Sequence, residues 1–537
     1  MLRTEKLLPA AAGQAWTLVS TVPRPKSRRW GAALGAGLAT SFIALSAHAT
    51  VITSGSISPG TLTTNPTTTS QIIVGIGAAG SLEVNANATG NGFTTVTGNF
   101  SGSVGAVSGF GAGSNGSILV NGNGTAGSAN LNTKSIIAGT SGGTGSLTVQ
   151  NGGVVNANTG NGSIVQAGSS TSTGTITVDG TNSALNVGSR LQIGGFTSSN
   201  GSLTVSGGAE VQTGTNPGFS DGMVEIGTGD GATGTATVTG ATSTLATKGL
   251  IVGNSDVAGT ITNTGTLTIQ NGGKVTADTG AVSVGSKAGS QITVTGTGST
   301  LEISPILAGF FAAKELLVGG FGQGTLLVDQ NATVNAAGAN ILVGGGLFGA
   351  NTDAATLTVA NGGAVTANTV FVNQGGTLNG NGGTINGNVT LNGGTLSPGA
   401  SPGVMDINGN LLLTSGILNL EISTLLSDLL NVTGNVTFGA GLAINLIFDF
   451  APPSGQLYEL GDFFAGAAAL LFDPAFDLEA QLNFAGLPTG SFITASLGGE
   501  SVTVGQAPPT GVPEPATLAL LGFGLLGLAA VKRRRTA

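Results

Sequence analysis

The residues best suited to chemistry are three carboxylates near the end of the chain, Asp473, Asp477 and Glu479. Two carboxylates on either side of a glycosidic bond can hydrolyse it, one as the acid and the other as base or nucleophile. The alternative is that these acids are solvated residues on a surface. We favour the alternative because Arg190 is the only arginine between the two terminal segments and aromatic side chains that could hold a sugar are scarce in the region before them. We therefore predict no catalytic residue.

A second acidic group, Asp221, Glu225 and Asp230, could coordinate calcium through its carboxylate oxygens. The glycine- and aspartate-rich nonapeptide of calcium-binding β-rolls is absent, so we predict no metal site. The chain has no cysteine, and its single histidine, His48, lies in a segment that we expect to be removed. The mature chain then has neither histidine nor cysteine, which excludes every catalytic mechanism and metal site that needs one of them. We predict a protein that is not an enzyme and has no cofactor.

Residues 1–49 have the features of a signal peptide. Basic residues at positions 24–29 precede an apolar run at 30–45, and Ala47 and Ala49 flank His48 in a small-x-small cleavage pattern. Two alternatives stay open: a short membrane anchor, and export by a twin-arginine route.

The other end of the chain contains Pro513, Glu514 and Pro515, followed by an apolar run at residues 516–531 that we expect to be helical. Four bases close the run, and positive charge holds such an end in the cytoplasm. These bases are Lys532, Arg533, Arg534 and Arg535. The order of parts resembles the PEP-CTERM sorting signal of exported bacterial proteins. The resemblance implies an exosortase-class membrane protease as a partner and a transient stay in the inner membrane. An ordinary tail anchor is the alternative.

Between these terminal segments the chain is acidic. Residues 50–506 contain 22 acids and 6 bases, a net charge of −16. Because such a surface repels phosphate backbones, we predict that the protein does not bind nucleic acid.

The middle of the chain repeats one short block with an average spacing of about 30 residues. The block reads Gly-Ser-Leu-Thr-Val at residues 145–149, and Gly80–Val84 is a weaker early copy. Further copies begin at Gly174, Gly201, Gly234, Gly265, Ser290, Gly324 and Ala355.

The repeat predicts short strands separated by turns. Leu147 and Val149 alternate with Ser146 and Thr148, which is the period of a strand with one buried face. Segments such as Asn-Gly-Gly at residues 151–153 tolerate positive φ and allow sharp turns. Three strands per repeat cannot bury a core alone, so we predict an all-β fold in which coils stack as a parallel β-helix or β-solenoid. A sandwich of hairpins is the alternative.

Residues 130–445 resemble the passenger domains of autotransporters. Residues 393–403, 407–411 and 418–422 are similar to the passenger-associated transport repeat, and residues 428–434 are similar to the segment that usually follows it. No run of strands long enough for a translocating barrel comes after them, which puts self-translocation in doubt.

We divide the chain into a signal peptide (1–49), a β-solenoid (50–420), a β-rich cap (421–505), a linker (506–511) and a sorting signal (512–537). We expect an exported structural or adhesive protein that passes through the inner membrane to the outer surface or extracellular matrix, with exopolysaccharide or cell-surface glycans as partners. The alternative is a surface polysaccharide lyase or hydrolase on a β-helix.

Overall fold

The computed structural model is almost entirely built of β-strands that stack in parallel, coil upon coil. It describes residues 50–58, 67–68, 72–85, 94–98, 105–158, 162–215, 222–254, 261–278, 282–304, 315–320, 322–345, 354–399, 402–489, 491–495 and 501–506. Most coils contribute one strand to each of three parallel ladders, which we name A, B and C.

Ladder A contains the repeated block. Thr144–Gln150 pairs in parallel with Thr173–Asp179, and Gly145 lies opposite Gly174, so that equivalent positions of the repeat lie side by side. The strands of ladder A are Ala79–Asn85, Asn115–Asn121, Thr144–Gln150, Thr173–Asp179, Asn200–Ser206, Thr233–Thr239, Thr264–Gln270, Ser290–Thr295, Gly324–Asp329, Ala355–Ala360, Gly376–Asn381, the ends of Gly383–Ser397, Leu411–Ile422 and Asn435–Phe448, and Leu482–Ala485.

Ladder B follows ladder A in each coil, after the turn at segments such as Asn-Gly-Gly. Its strands are Thr67–Thr68, Thr94–Gly98, Ala129–Thr133, Val154–Ala157, Ala184–Val187, Glu210–Thr213, Thr244–Thr247, Lys274–Ala277, Thr300–Ile303, the starts of Thr333–Val343, Ala364–Asn373 and Gly383–Ser397, and then Val404–Asn408 and Leu429–Val432.

Ladder C closes the coil and leads back to ladder A. Its strands are Ile72–Ile76, Ala106–Phe110, Ile136–Thr140, Ile164–Ser169, Arg190–Ile193, Met223–Ile226, Gly249–Val252, Val282–Val284, Glu315–Val318, the ends of Thr333–Val343 and Ala364–Asn373, the middle of Gly383–Ser397, the starts of Leu411–Ile422 and Asn435–Phe448, and Ala469–Phe472.

The core lies between the three ladders and is made of one inward side chain at every second position. Leu147 and Val149 are fully buried, as are Leu185 on ladder B and Leu191 on ladder C. Parallel pairing of non-consecutive strands confirms the predicted solenoid, whereas a hairpin sandwich requires antiparallel neighbours.

The corner between ladders C and A is tight and depends on glycine. Glycines at the end of ladder C adopt positive φ, as at Gly194 (φ 66°), and turn the chain into the next coil. A second glycine, at the start of the ladder A strand, packs directly against this turn: a Cβ at Gly201 would lie 2.1 Å from the Gly194 nitrogen. The repeated glycines are therefore explained by backbone contact.

Both ends of the stack depart from the parallel pattern. At the N-terminal end Thr50–Gly55 and Ile57–Ser58 pair antiparallel with Ala79–Asn85 and Ile72–Ile76. At the other end a separate antiparallel sheet contains Leu457–Glu459, Ser491–Ala495 and Ser501–Gln506. Covering strands of this kind limit edge-to-edge association.

The parallel ladder continues past residue 420, into the region that the sequence assigned to the cap. Asn435–Phe448 pairs with Leu411–Ile422 on one side, and with Ala469–Phe472 and Leu482–Ala485 on the other. Larger side chains fill the core here: Phe438 is fully buried and stacks on Phe472, with 5.0 Å between ring centroids. A 3₁₀ helix, Leu460–Phe463, and a short α-helix, Leu478–Gln481, complete this region.

Candidate functional site

Ladder A presents an array of hydroxyl groups on its outer surface. The residue between its two inward positions is threonine in six successive strands, and these threonines pair in register without a bulge. They are Thr148, Thr177, Thr204, Thr237, Thr268 and Thr293, which we name the threonine column.

A second column runs parallel to the first, two residues earlier in each strand. Its members are Ser146, Thr175, Ser202, Thr235, Thr266 and Gln291. We call the two columns together the hydroxyl face. Neighbouring strands are about 4.8 Å apart and neighbouring columns about 7 Å apart, so the face is a nearly regular lattice of small polar groups.

The hydroxyl face has no charged member, and its threonine hydroxyls are largely unused by the fold. Among the described residues, no side-chain hydrogen bond engages the hydroxyls of Thr148, Thr177, Thr204, Thr237 or Thr268. Within the second column Ser202 Oγ donates to Thr175 Oγ1 at 3.2 Å. Thr293 Oγ1 accepts from Gln291 Nε2 at 2.9 Å. The hydroxyls of the other five members of the threonine column are therefore free to bind a ligand. In the sequence, Ser146 and Thr148 indicate only the alternation of a strand with one buried face. The uninterrupted repetition of Thr was the signal that could have identified this face.

Two ion pairs lie on the outer surface of the stack, one within ladder B and one within ladder C. Lys274 Nζ lies 2.7 Å from Glu302 Oε2 on ladder B. On ladder C, Glu225 accepts from Arg190 Nη1 at 3.2 Å and from Gln192 Nε2 at 2.7 Å. The carboxylates of Glu302 and Glu225 are thus engaged by side chains of the same protein.

The predicted alternative of a calcium site gains no support from the geometry. Glu225 is bound as described above, and Asp230 Oδ1 accepts from the Thr262 amide at 3.1 Å. Asp221 lies outside the described residues. Across the residues that the structure describes, no three histidine, cysteine or carboxylate side chains are grouped to hold a metal ion.

The three candidate catalytic carboxylates are exposed, and two of them, Asp473 and Asp477, bind nearby backbone amides. Asp473 Oδ1 accepts from the Ala475 amide at 2.8 Å. Asp477 caps the short α-helix, accepting from the Glu479 amide at 3.1 Å. Helix capping by Asp477 and the turn that Asp473 forms with the amide two residues later are sufficient structural reasons for the two aspartates.

One buried carboxylate was missed by the sequence analysis. Asp428 is fully buried and accepts from the Gly403 amide at 2.6 Å and from the Glu421 amide at 2.8 Å. Burial raises the pKa of Asp428, although the two backbone hydrogen bonds oppose the shift. The group ties together three segments of neighbouring coils, and only the folded structure reveals that role.

The last strand of the separate antiparallel sheet, Ser501–Gln506, ends shortly before the C-terminal signal in the sequence. A sequence model described as the PEP-CTERM protein-sorting motif matches residues 511–535. The chain carries a PEP-CTERM sorting signal. A comparison with curated proteins finds no match.

The PEP-CTERM signal implies an exported protein, a membrane-associated sorting step and processing by an exosortase in the membrane. Pro513, Glu514 and Pro515, the basic residues 532–535, and the apolar run 516–531 that we expect to be helical lie outside the described residues, as do Ala47 and Ala49. In the part of the chain that the structure describes, no helix is both long and apolar enough to cross a membrane.

Proposed function

We propose that this protein is a non-enzymatic structural or adhesive component of the cell surface or extracellular matrix, where it associates with exopolysaccharide. The observation that carries the proposal is the combination of a PEP-CTERM signal with a long stack of coils whose ladder A presents small uncharged hydroxyl groups. A surface of this kind is better suited to many weak contacts with another polymer than to catalysis at a single active site.

The local roles of the acidic residues support a non-enzymatic function. Asp473 and Asp477 accept backbone hydrogen bonds, and Glu225 is engaged by Arg190 and Gln192. A glycoside hydrolase or lyase needs free carboxylates or bases directed at a substrate. The alternative of a surface polysaccharide lyase or hydrolase has no comparable observation in its favour.

The test of the proposal is a deletion strain of the source bacterium. Loss of the gene should reduce cell aggregation and the polysaccharide retained in the matrix, and the wild-type gene should restore both. The triple variant Asp473→Asn, Asp477→Asn, Glu479→Gln should restore them equally well, because Asn and Gln keep the size of these exposed groups. New reducing ends produced from host polysaccharide by the wild-type protein, and absent with the triple variant, would establish an enzyme instead.

A further inference from the structure

We propose that the hydroxyl face of ladder A is a binding surface for a neutral, extended polysaccharide. The inference rests on the proposed matrix function and goes further by naming the surface and the chemical class of the ligand. It follows from three properties of the face: its periodicity, its lack of charge and its unused hydroxyl groups.

The periodicity selects a polymer. Thr148, Thr177 and Thr204 are paired in exact sequence register on adjacent strands, so each rung of the ladder presents the same group. A single small molecule would contact one or two rungs and form few hydrogen bonds, each of which adds little net stability in water. A ligand with a repeat of its own contacts many rungs at once, and the linked contacts add to a useful affinity.

The charge pattern selects a neutral polymer. The mature region carries a net charge of −16, yet the hydroxyl face has no charged member through six successive strands. Nucleic acids and polyuronates would meet overall repulsion without a basic group on this face to offset it. A neutral glycan meets no such repulsion.

The chemistry of the groups matches a glycan. Each threonine hydroxyl offers one donor and two acceptors, as does each sugar hydroxyl, so either partner can donate. The rungs lie about 4.8 Å apart, so a glycan chain that lies across the strands passes over several threonines in succession. The methyl groups of the same threonines give the less polar faces of the sugar rings an apolar contact.

The experiment is affinity electrophoresis of the full chain through gels that contain a soluble polysaccharide. The probes are hydroxyethylcellulose and guar galactomannan, which are neutral, and carboxymethylcellulose, which has the backbone of the first probe with added negative charge. We expect retardation by at least one neutral probe, at least five-fold weaker retardation by carboxymethylcellulose, and little change between low and high salt.

The decisive variant removes four hydroxyls and keeps side-chain shape: Thr177→Val, Thr204→Val, Thr237→Val and Thr268→Val. It should weaken binding of the neutral polymer at least ten-fold. The matched control makes the same four changes on the outer surface of ladder B, at Thr244, Thr276, Thr300 and Thr333, and should bind as the wild type does.

A second variant protects the test against misfolding of the first. Thr204 and Thr237 lie opposite each other on adjacent strands, so Thr204→Arg with Thr237→Glu places a compatible ion pair on the sheet. It adds bulk to the face without net charge, and binding should fall at least five-fold while the circular dichroism spectrum is retained.

The outcomes separate this inference from the proposed function. If neither neutral probe retards the wild type, or if both ladder A variants bind normally, the hydroxyl face is not the binding surface. If the face binds neutral glycan but the deletion strain keeps its matrix and aggregation, the inference holds and the proposed function fails. A matrix defect rescued fully by the four-valine variant would overturn the inference and leave the function standing.

Discussion

Replacing Gly201 with alanine tests the physical account of the corner between ladders C and A. The added Cβ would lie 2.1 Å from the Gly194 nitrogen, 2.3 Å from the Ala167 oxygen and 2.7 Å from the Ile193 carbonyl carbon. All three are backbone atoms, and the first two form a hydrogen bond of 2.9 Å across the ladder. None of these three atoms belongs to a flexible side chain that could move aside.

The expected cost has two parts. Forcing an extra methyl group into a packed site costs up to about 3 kcal/mol. Moving the Gly194 amide away from Ala167 loses a hydrogen bond worth about 1 kcal/mol. The total of about 4 kcal/mol corresponds to a roughly thousand-fold increase in local opening of that coil.

Hydrogen exchange measured by mass spectrometry is the suitable assay, because a stack of coils need not unfold in one step. Peptides that cover residues 190–206 should lose protection, while distant coils keep theirs. Gly111→Ala is the control: Gly111 has φ of 95° but no neighbouring atom within 4 Å, so only about 1–2 kcal/mol of backbone strain applies.

The ladder itself shows when a side chain is tolerated at the corner. Ser290 occupies the position that corresponds to Gly201, and there its hydroxyl accepts from the Gly265 amide at 3.0 Å and lies 2.9 Å from Ser286 Oγ. A rung with a compensating hydrogen bond can therefore accommodate a Cβ. Equal loss of protection in Gly201→Ala and Gly111→Ala would refute the explanation by backbone contact.

Four further outcomes are expected. Val149→Asp places an unpaired charge in the fully buried core and should destabilise its coil by several kcal/mol, seen as an early transition in the far-UV circular dichroism melt. Ser108→Ala should stabilise by about 1 kcal/mol in denaturant titration, because the buried Ser108 hydroxyl has no hydrogen-bond partner among the described residues. Since burial raises the pKa of Asp428, its contribution to stability is fully present below the unfolded pKa near 3.8 and is lost as the pH rises through the folded value; Asp428→Asn should remove that pH dependence and lower stability at acid pH. Changing Glu514 and the two adjacent prolines should hold full-length protein in the inner membrane, and intact-mass detection of matrix protein that retains residues 532–537 would contradict the processing step.

The sequence predicted ladder A well because one motif combines three physical requirements. Glycine allows the close backbone contact at the corner, Leu and Val fill the core, and Thr or Ser faces solvent. The strand Asn115–Asn121 was missed, since Leu119 stands at an outward position where the motif has Thr, although Gly116 pairs with Gly145 as the other copies do. Core packing restricts the residue type at inward positions more than solvent does at outward positions. A search for the repeat that also requires Thr at the outward position therefore misses true copies.

The C-terminal part of the solenoid was harder to predict because the coils become shorter and their turns disappear. Ladders B and C merge there into continuous strands such as Thr333–Val343 and Ala364–Asn373, and Gly376 pairs with Ala355 after a shorter interval than earlier copies. Core-filling by Phe438 and Phe472 in place of Leu and Val made the last coils look like a different domain. In the sequence the hydroxyl face is visible as a threonine that recurs at one position of the repeat. Only the strand pairing in the structure shows that these threonines lie side by side and form one surface.

The nearest-neighbour pairing of the coils has a consequence for the way an exported chain crosses a membrane. Within the described ranges, Thr173–Asp179 pairs with one strand of the coil before it and one strand of the coil after it. The antiparallel strand Thr50–Gly55 closes the first coil, so the stack can begin to form as soon as the N-terminal part has emerged. Each later coil then adds a layer of hydrogen bonds and buried side chains on the far side, and sliding backwards would require that layer to unfold. Folding would thus oppose backward movement of the chain and favour outward movement of the rest of the polypeptide, one coil at a time.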